Sequence, residues 1–439
     1  MNIKSSIFTS QFFQFFEYRF LFLLFFLFPR LIGAEERDLD LFDSKKAAAQ
    51  EVVMTAIPKI TFPVRVLLNE SKQNESFTWE LSSKNGFIIK DIQSMSAAGS
   101  GLQEEILDPV IVLSLKKNSL VINGRRLAVS AISIEPRDGY IGYKNNNYAG
   151  TFLCMAGGNN AGYYLINMVD LEDYLLSVVR WEGWPGWPVE VNRVFAVMCR
   201  TYVVFKVLQE RKKNKPFDIK NTNIHQTYKG MHEFDHLRQA LNDTAGIVMV
   251  YDGKPIEAMY DACCGGVIPG HMNGIDFKKA PYLKRNYLCP HCKSTKLYHW
   301  KVEYQLSDLE DLIAQGVENG VPIRDIRVTK KDKAGVVHEI RVKTNSATYA
   351  LTGKKIYSLL KDLKSFCFDI ERTGKKVIFT GRGFGHHLGV CQWGVRQMVR
   401  EKEKERKKYK RKKIPKDDWK NILRFYYPGI SFMSIEVVE

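Results

Sequence analysis

The hydrophobic period of the sequence changes near residue 170, and this change constrains the fold more than any other feature. Before it, from about 52 to 160, apolar residues form short β-rich runs separated by turn signals such as KNG, KNNN and GGNN. The runs read VRVLL, FIIKDI, VIVLSL, SLVING, AVSAISI and YYLINMV. Short runs of this kind predict a β-rich N-terminal part.

After this change the sequence predicts two helices joined by a short junction. Asp170 is placed to cap a helix that continues as LEDYLLSVVRW. Pro188 stands at a favourable first position for the second helix, whose apolar residues keep helical spacing up to ERKKNKP. Further on, LSDLEDLIAQ predicts a helix, and EIRVKT and KKVIFTG predict strands. We therefore expect an α+β fold in which residues 35–439 form one compact unit with two lobes.

The N-terminus has the organisation of a secretory signal. Lys4 and Arg19 precede the apolar run FLFLLFFLF, and Ala34 supplies a small residue before a polar stretch. This apolar run is too short to span a bilayer. We expect export across the inner membrane to a periplasmic or membrane-anchored location. Residues 1–34 would be removed as a signal peptide or retained as an N-terminal anchor.

Much of the net charge of +17 lies in one segment near the C-terminus. Residues 400–413, REKEKERKKYKRKK, contain ten basic and three acidic side chains. This pattern is typical of a solvated helical insertion or loop. It also offers positive charge to an anionic membrane or wall polymer. Nucleic acid is disfavoured as a partner, because the sequence has no module that reads it.

One carboxylate stands among three indoles in the junction between the two predicted helices. The segment RWEGWPGWP holds Glu182 between Trp181 and Trp184, with Trp187 a few residues on. A charge beside so much apolar surface is costly unless its ionisation is shifted or used. The residues leave two interpretations: a carboxyl group kept for proton transfer, or a surface glutamate in a loop whose tryptophans staple the helices together.

Five segments, in this order, resemble the SpoIID/LytB family, which is named after stage II sporulation protein D. They are VDLEDYLLSVVRWEGWPGWPVEVNRVFAVMCRTYV, TYKG, YDGKPIEAMYDACCGG, GRGFGHHLGVCQWGV and ILRFYYPGI. The resemblance covers about 170 to 430, and its finer details are most similar to chlamydial members. It implies a β-rich N-terminal part at 35–165 and a catalytic core at 166–439. That core carries two insertions, a Cys-rich one at 263–292 and the basic one at 400–413.

The resemblance implies an exported lytic transglycosylase acting in cell-wall remodelling or division. Such an enzyme cleaves the MurNAc–GlcNAc bond of peptidoglycan glycan strands, preferably strands stripped of stem peptides by an amidase, and leaves 1,6-anhydroMurNAc ends. It also implies a mixed lobe in which a long helix and a Gly-His-rich loop help to form a glycan-binding cleft. The alternative is a catalytically weak glycan-binding or division-scaffold protein of the same fold. Family members often have Met-Pro just after the glutamate, whereas Gly183 and Trp184 follow it here.

In this family a single glutamate carries the reaction, and Glu182 matches it. The carboxyl group protonates the leaving glycosidic oxygen, and the carboxylate then helps the C6 hydroxyl attack C1 of the same sugar. No water nucleophile takes part, so the paired carboxylates of an ordinary glycosidase are not required. Apolar indoles would raise the pKa of Glu182 and favour the acid form. Trp184 and Trp187 can also stack against sugar faces.

Arg200 and Tyr202 match the Arg-Thr-Tyr pattern of the family on the second helix. The resemblance implies that both bind substrate. Arg200 has a planar fork that suits a sugar or a carboxylate. For Tyr202 the alternative is a place in the core, because the helix is long and largely apolar.

The Gly-rich segment GRGFGHHLGVCQWG contributes two more residues through the resemblance. Its glycines permit tight turns that bring His386 and Gln392 close to a ligand. His386 matches the signature histidine, with a hydrogen-bonded structural histidine as the alternative. The sequence departs from the family at His387, which replaces a usual Gly, and at Cys391, which replaces a small residue.

The cysteines leave two interpretations open. Eight cysteines in an exported chain favour disulfides. However, the turns CC at 263–264 and CPHC at 289–292 also suit a structural tetrahedral zinc site. Some family members bind zinc near a His-Cys pair before the YKG segment, where Ile224 and His225 stand here. The zinc ligands would then be Cys264, Cys289, Cys292 and His225. The chemistry itself requires no cofactor.

Overall fold

The computed structural model describes residues 62–435, except for 73–74, 93–102, 117–118, 158–160, 185, 223–224, 233, 318–321 and 410–416. Residues 1–34, the predicted signal peptide or anchor, lie outside the described residues. The described residues divide into two units: the first unit lies within Ile57–Glu257 and continues from Phe432, and the second unit is Ala258–Ser431. The division falls after residue 257, whereas the sequence suggested a boundary after residue 165.

Two large sheets form most of the first unit. Their strands, with three that follow later in the chain, are β1 (Pro63–Lys72), β2 (Thr78–Ser82), β3 (Phe87–Asp91), β4 (Gln103–Ile106), β5 (Val110–Lys116), β6 (Ser119–Ile122), β7 (Arg125–Arg126), β8 (Ala131–Pro136), β9 (Ile141–Tyr143), β10 (Asn146–Tyr148), β11 (Thr151–Ala156), β12 (Ala161–Asp170), β13 (Ile219–Lys220), β14 (Ile247–Tyr251) and β15 (Lys254–Pro255). The first sheet has the order β13-β1-β12-β11-β8-β3-β4, and the second has the order β10-β9-β2-β5-β6-β7.

Alternating burial explains these strands. In β2 the side chains of Trp79 and Leu81 are buried and their neighbours are exposed, as expected for a strand with one face on the core. Each of the six predicted runs lies wholly or mostly in a strand, namely β1, β3, β5, β6, β8 and β12. The β-rich N-terminal part is therefore confirmed.

Three helices of the first unit follow the sheets: α1 (Leu171–Glu182), α2 (Val189–Arg211) and α3 (Asp235–Asp243). Asp170 caps α1 as predicted, because its carboxylate accepts the N–H of Glu172 at 2.9 Å. Pro188 lies at the cap of α2, one position before the predicted first turn. The long helix α2 shares its unit with the N-terminal strands, so its assignment to the lobe of the Gly-His-rich loop was wrong. Strand β12 pairs with β1 and runs directly into α1, which ties these helices to the sheet.

The second unit has shorter strands and its own apolar core. Its elements are β16 (Tyr260–Asp261), β17 (His299–Gln305), α4 (Leu306–Ala314), β18 (Ile323–Lys331), β19 (Val337–Thr344), β20 (Thr348–Thr352), α5 (Gly353–Leu359), β21 (Phe368–Thr373), β22 (Lys376–Arg382), β23 (Val390–Cys391), α6 (Gln392–Lys408) and α7 (Asp418–Tyr426), with 3₁₀ turns at Pro269–His271 and Pro281–Leu283. The last strand, β24 (Ser431–Ser434), pairs with β14 and lies mostly in the first unit. The predicted helix LSDLEDLIAQ is α4, and EIRVKT and KKVIFTG are β19 and β22. The mixed α+β class is therefore confirmed, while the glycan-binding cleft stays a prediction.

The basic run begins as a helix. Helix α6 carries residues 400–408, and only its first turns are buried. This agrees with the predicted solvated helical insertion, and residues 410–413 lie outside the described part. None of the described helices combines the length and apolar character that crossing a membrane requires.

Candidate functional site

Glu182 is the last residue of α1, at the edge of the predicted junction. The Gly183 N–H closes the helix by donating to Val179 O at 3.1 Å. The Glu182 side chain is half-buried, and its Oε1 accepts the backbone N–H of Thr227 at 2.7 Å. The backbone of another segment therefore holds the carboxyl group in one orientation. Catalytic groups need such support from their surroundings.

The segment 226–230, QTYKG, is fixed along α1 by three hydrogen bonds. Besides the Thr227 contact, Lys229 N donates to Ser177 Oγ at 3.0 Å, and the Tyr174 hydroxyl donates to Gln226 Oε1 at 3.0 Å. Gly230 ends the segment with φ +74°, and an added Cβ would lie 2.1 Å from a backbone oxygen. Only glycine fits there, so the YKG motif has a steric reason.

Two buried groups in the interior beside Glu182 carry no charge. Burial raises the pKa of the Tyr174 hydroxyl and of the Cys199 thiol well above their usual ranges, and the Glu182 charge adds to both shifts. Both groups are therefore neutral at physiological pH. The Arg200 guanidinium acts on the pKa of the Cys199 thiol in the opposite direction to the Glu182 charge and to burial.

A group of cations and rings lies at the same end of α1. Trp181 Nε1 donates to His232 Nε2 at 2.8 Å. Lys229 Nζ lies 3.8 Å from a Trp181 ring centroid, and the Arg180 guanidinium lies 4.6 Å from the ring of Phe234. Such cation–π contacts fix flexible charges in place. Two positive charges, those of Arg180 and Lys229, thus lie at the end of α1 that carries Glu182.

The charges of this group shift one another. Burial, and then the positive charge of Arg180, lowers the pKa of Lys229. Burial, followed by Arg180 and Lys229, lowers the pKa of His232. His232 is therefore neutral near pH 7, which agrees with its role as an acceptor. An anionic ligand would relieve the repulsion between the two cations.

The two tryptophans predicted to bind sugar have different positions. Trp187 is buried and packs on Phe195, with ring centroids 5.8 Å apart. Trp184 is half-buried, and its ring lies 6.4 Å from that of Trp187 at an interplanar angle of 28°. Trp187 is thus a packed core residue, in agreement with the interpretation that the tryptophans hold the two helices together. Trp184 alone keeps exposed ring surface for a sugar.

Arg200 lies in the core, contrary to its predicted contact with substrate. Its side chain is 0% exposed. Its guanidinium forms a two-point pair with Glu172, with both nitrogen–oxygen distances at 2.7 Å, and donates to Thr244 O at 2.8 Å. A fully enclosed guanidinium with these partners joins α1 to α2 and has no surface left for a ligand.

Tyr202 is also part of the packed face of α2. It is 9% exposed, and Lys206 Nζ lies 5.6 Å from its ring centroid. This position favours the core interpretation of Tyr202.

The Gly-His-rich segment belongs to the second unit. His386 is buried, which lowers its pKa to about 4, and its Nδ1 accepts the N–H of Leu388 at 3.1 Å. His387 adopts φ +70°, donates through its backbone N–H to Asp261 Oδ2 at 2.7 Å, and donates through Nδ1 to Cys264 O at 3.0 Å. His386 therefore fits the structural alternative, in which it stabilises the turn as a neutral imidazole. Gln392 is half-buried and begins α6.

Four cysteine thiols come together in the second unit, three of which were predicted as zinc ligands. The Sγ atoms of Cys264, Cys289, Cys292 and Cys391 all lie within 4.8 Å of one another. The fourth member is Cys391, where the sequence suggested His225. In the first unit, His225 Nδ1 instead accepts the N–H of Lys220 at 2.9 Å.

Sequence reasoning missed Thr227, Lys229 and His232 at the Glu182 end of α1. All three stand in the segment TYKGMH, whose first four residues carried part of the family resemblance. That motif was the available signal. Its side chains were not connected with Glu182, because the two segments are separated by the whole of α2.

Comparisons with known proteins match the part of the chain that contains Glu182 and the QTYKG segment. A family model described as "Stage II sporulation protein" (SpoIID) matches residues 159–251, and a domain of unknown function (DUF8618) matches residues 283–389. An uncharacterized protein of Brachyspira hyodysenteriae is 27% identical over 323 residues, which are 73% of this chain and 81% of that protein. Stage II sporulation protein D of Bacillus subtilis is 23% identical over 278 residues, which are 60% of this chain and 74% of that protein. The amidase enhancer of B. subtilis is 23% identical over 295 residues, covering 57% and 39% respectively.

Proposed function

Because the chain belongs to the SpoIID family, we propose that it is an exported peptidoglycan lytic transglycosylase with Glu182 as its acid-base. The names of its relatives, a sporulation protein and an amidase enhancer, point to a cell-wall role. The observation that carries the proposal is the hydrogen bond from Thr227 N to Glu182 Oε1 at 2.7 Å. It fixes one half-buried carboxyl group inside the segment that matches the family.

The chemistry assigns two successive proton transfers to Glu182. Its carboxyl group donates a proton to the glycosidic oxygen as the C1–O bond of MurNAc breaks. The carboxylate then accepts the proton of the C6 hydroxyl as O6 bonds to C1, which closes the 1,6-anhydro ring and restores the acid. The Thr227 N–H supports the carboxylate stage, because a hydrogen bond to the charged form favours it. Proton transfer by a positioned group typically contributes about 10²–10⁴-fold in rate.

The cations beside Glu182 suggest which strands are preferred. A MurNAc residue without its stem peptide has a free lactyl carboxylate, whereas an attached peptide converts that group to a neutral amide. Arg180 and Lys229 would pair with the free carboxylate through charge-assisted hydrogen bonds. The proposed substrate is therefore a denuded strand, and an amidase that removes the stems would act before this enzyme.

The first experiment is mass spectrometry of denuded glycan strands after incubation with the full chain. The proposal predicts anhydro-ended fragments from the parent and their loss in Glu182→Gln. Glu190→Gln is the matched control, since Glu190 is also a half-buried glutamate, in the first turn of α2, and lies 3.8 Å from Arg193. Reducing-end fragments would contradict the proposal, because they would mean hydrolysis by water.

A second experiment tests the substrate preference. Lys229→Gln should lower kcat/KM on denuded strands and leave it nearly unchanged on strands that keep their stems. The salt dependence should fall in parallel, since one ion pair is removed. An equal loss on both substrates would contradict a role for Lys229 in recognising the lactyl carboxylate.

A catalytically weak glycan-binding or scaffold protein is the second candidate. The observation in its favour is the turn after Glu182, where Gly183 and Trp184 replace the Met-Pro common in the family. This candidate predicts binding of denuded strands with no cleavage by the parent or by Glu182→Gln.

A further inference from the structure

The four-thiol cluster of Cys264, Cys289, Cys292 and Cys391 has no part in the proposed chemistry. Each of the four side chains is at most 1% exposed, and their sulfurs lie within 4.8 Å of one another. From this grouping we propose that the cluster binds one Zn²⁺ ion through four thiolates as a structural site. The site differs from the predicted one, which used His225 of the first unit.

The spacing of the sulfurs suits tetrahedral zinc. With a Zn–S distance of about 2.3 Å, the sulfurs of a tetrahedron lie ~3.8 Å apart. The Sγ atoms of Cys264 and Cys292 are 3.7 Å apart. Cys289 and Cys292 stand in CPHC, the short ligand spacing typical of structural zinc sites. All four cysteines are free thiols, so each sulfur is available as a ligand.

Hydrogen bonds point at two of the sulfurs. Cys264 N donates to Cys391 Sγ at 3.3 Å, and the Tyr426 hydroxyl lies 3.3 Å from Cys289 Sγ. A thiolate accepts such bonds, and groups of this kind orient metal ligands and tune their basicity. The cluster thus has donors around it that match charged sulfurs.

A buried cation also lies nearby. Arg285 is 1% exposed, and its guanidinium donates to the backbone oxygens of Val267 and Tyr287. Among the described residues it forms no direct ion pair, although the buried Asp261 carboxyl group interacts with it electrostatically. The Tyr426 ring, whose hydroxyl reaches the cluster, lies 6.0 Å from the guanidinium. Zinc with four thiolates carries a net negative charge, which would balance Arg285 in this interior.

The ligands come from three segments, of which those that carry Cys264 and Cys391 are joined by the pairing of β16 with β23. Cys264 follows β16, the CPHC pair lies in the Cys-rich insertion, and Cys391 ends β23 directly before α6. The Gly-His-rich segment is paired at its start through Gly381 and Arg382 of β22, and in its middle through two isolated bridges, Cys263 to Phe384 and Ser365 to Gly385. The ion would therefore fix the end of that segment against the insertion.

The experiment measures metal directly on the full chain, purified under reducing conditions without chelator. We expect about one zinc per chain by mass spectrometry of the metal. Replacement by Co²⁺ should give the intense visible bands of a tetrahedral tetrathiolate site. These two measurements need no variant, so they hold even if a substitution prevents folding.

The variants then test the ligand set. Cys391→Ser should lower the zinc content at least several-fold. Cys367→Ser is the matched control in the same unit and should retain zinc, because Cys367 is also buried but lies outside the cluster. Zinc far below one ion per chain, disulfides joining the four cysteines, or zinc content unaffected by Cys391→Ser would each overturn the proposal.

Discussion

The two ends of α1 carry two glutamates with opposite surroundings. Near the N-terminal end, Glu172 is 1% exposed and paired at two points with the buried guanidinium of Arg200. At the C-terminal end, Glu182 is half-buried, and a backbone N–H holds its Oε1. The carboxylate of Glu172 joins two helices, while that of Glu182 is oriented and still accessible. The difference shows that two glutamates in the same family segment can have separate roles, one structural and one at the candidate site.

The largest expected effect on stability lies at Glu172. Glu172→Gln leaves Arg200 charged and enclosed without its partner, and breaking a buried pair from one side costs about 3–5 kcal/mol. Chemical denaturation followed by circular dichroism should show this loss, while the fraction that stays folded should keep the proposed cleavage activity.

A double replacement tests whether the ion pair is the cause. Glu172→Leu with Arg200→Met removes both charges, so its loss of unfolding free energy should be smaller than the sum of the two single losses. Additive losses would mean that Glu172 and Arg200 are not coupled, so that Glu172 would not differ from Glu182 by having a buried partner.

A smaller effect of opposite sign is expected at Glu182. A negative charge at the C-terminus of a helix opposes the helix dipole, so Glu182→Gln should raise the free energy of unfolding by about 0.3–1 kcal/mol. The amide oxygen can still accept the Thr227 N–H. Thermal denaturation of the two proteins in low salt would measure the change. A clear loss of stability would place Glu182 with Glu172 as a structural residue.

The smallest effect is a pH dependence at the Glu182 end. The pKa of His232 is lowered in the folded protein, so below about pH 6.5 the unfolded chain binds more protons at this residue. Stability should therefore fall as the pH falls, and part of that fall should disappear in His232→Gln. Both proteins share all other histidines, so the difference between their denaturation curves from pH 7.5 to 5 isolates this residue. An identical pH dependence in both would contradict the lowered pKa.

The elements of the first unit could be predicted because their signals are local. Alternating apolar residues marked β1, β3 and β5, and Asp170 marked the start of α1 through a contact two residues away. The role of Arg200 could not be predicted in this way. Its partner Glu172 lies 28 residues earlier on another helix, so the pairing exists only after α1 and α2 pack.

The same reasoning applies to the cysteines and tryptophans. The CPHC turn was visible as a pair, but Cys391 joins it only through the pairing of β23 with β16. Trp184 and Trp187 look equivalent in RWEGWPGWP. Packing of Trp187 on Phe195 separates them, and only the fold decides which indole keeps exposed surface.

Helix α6 begins immediately after Cys391, and its buried residues end at Val399. At 1.5 Å per residue, the part from Val399 to Lys408 extends the charged side chains by about 14 Å. That exceeds the screening length of about 8 Å at physiological salt. Electrostatically, the tip of α6 is therefore insulated from the start of the helix, and charge can be added or removed there without changing the ionisation of groups at its base.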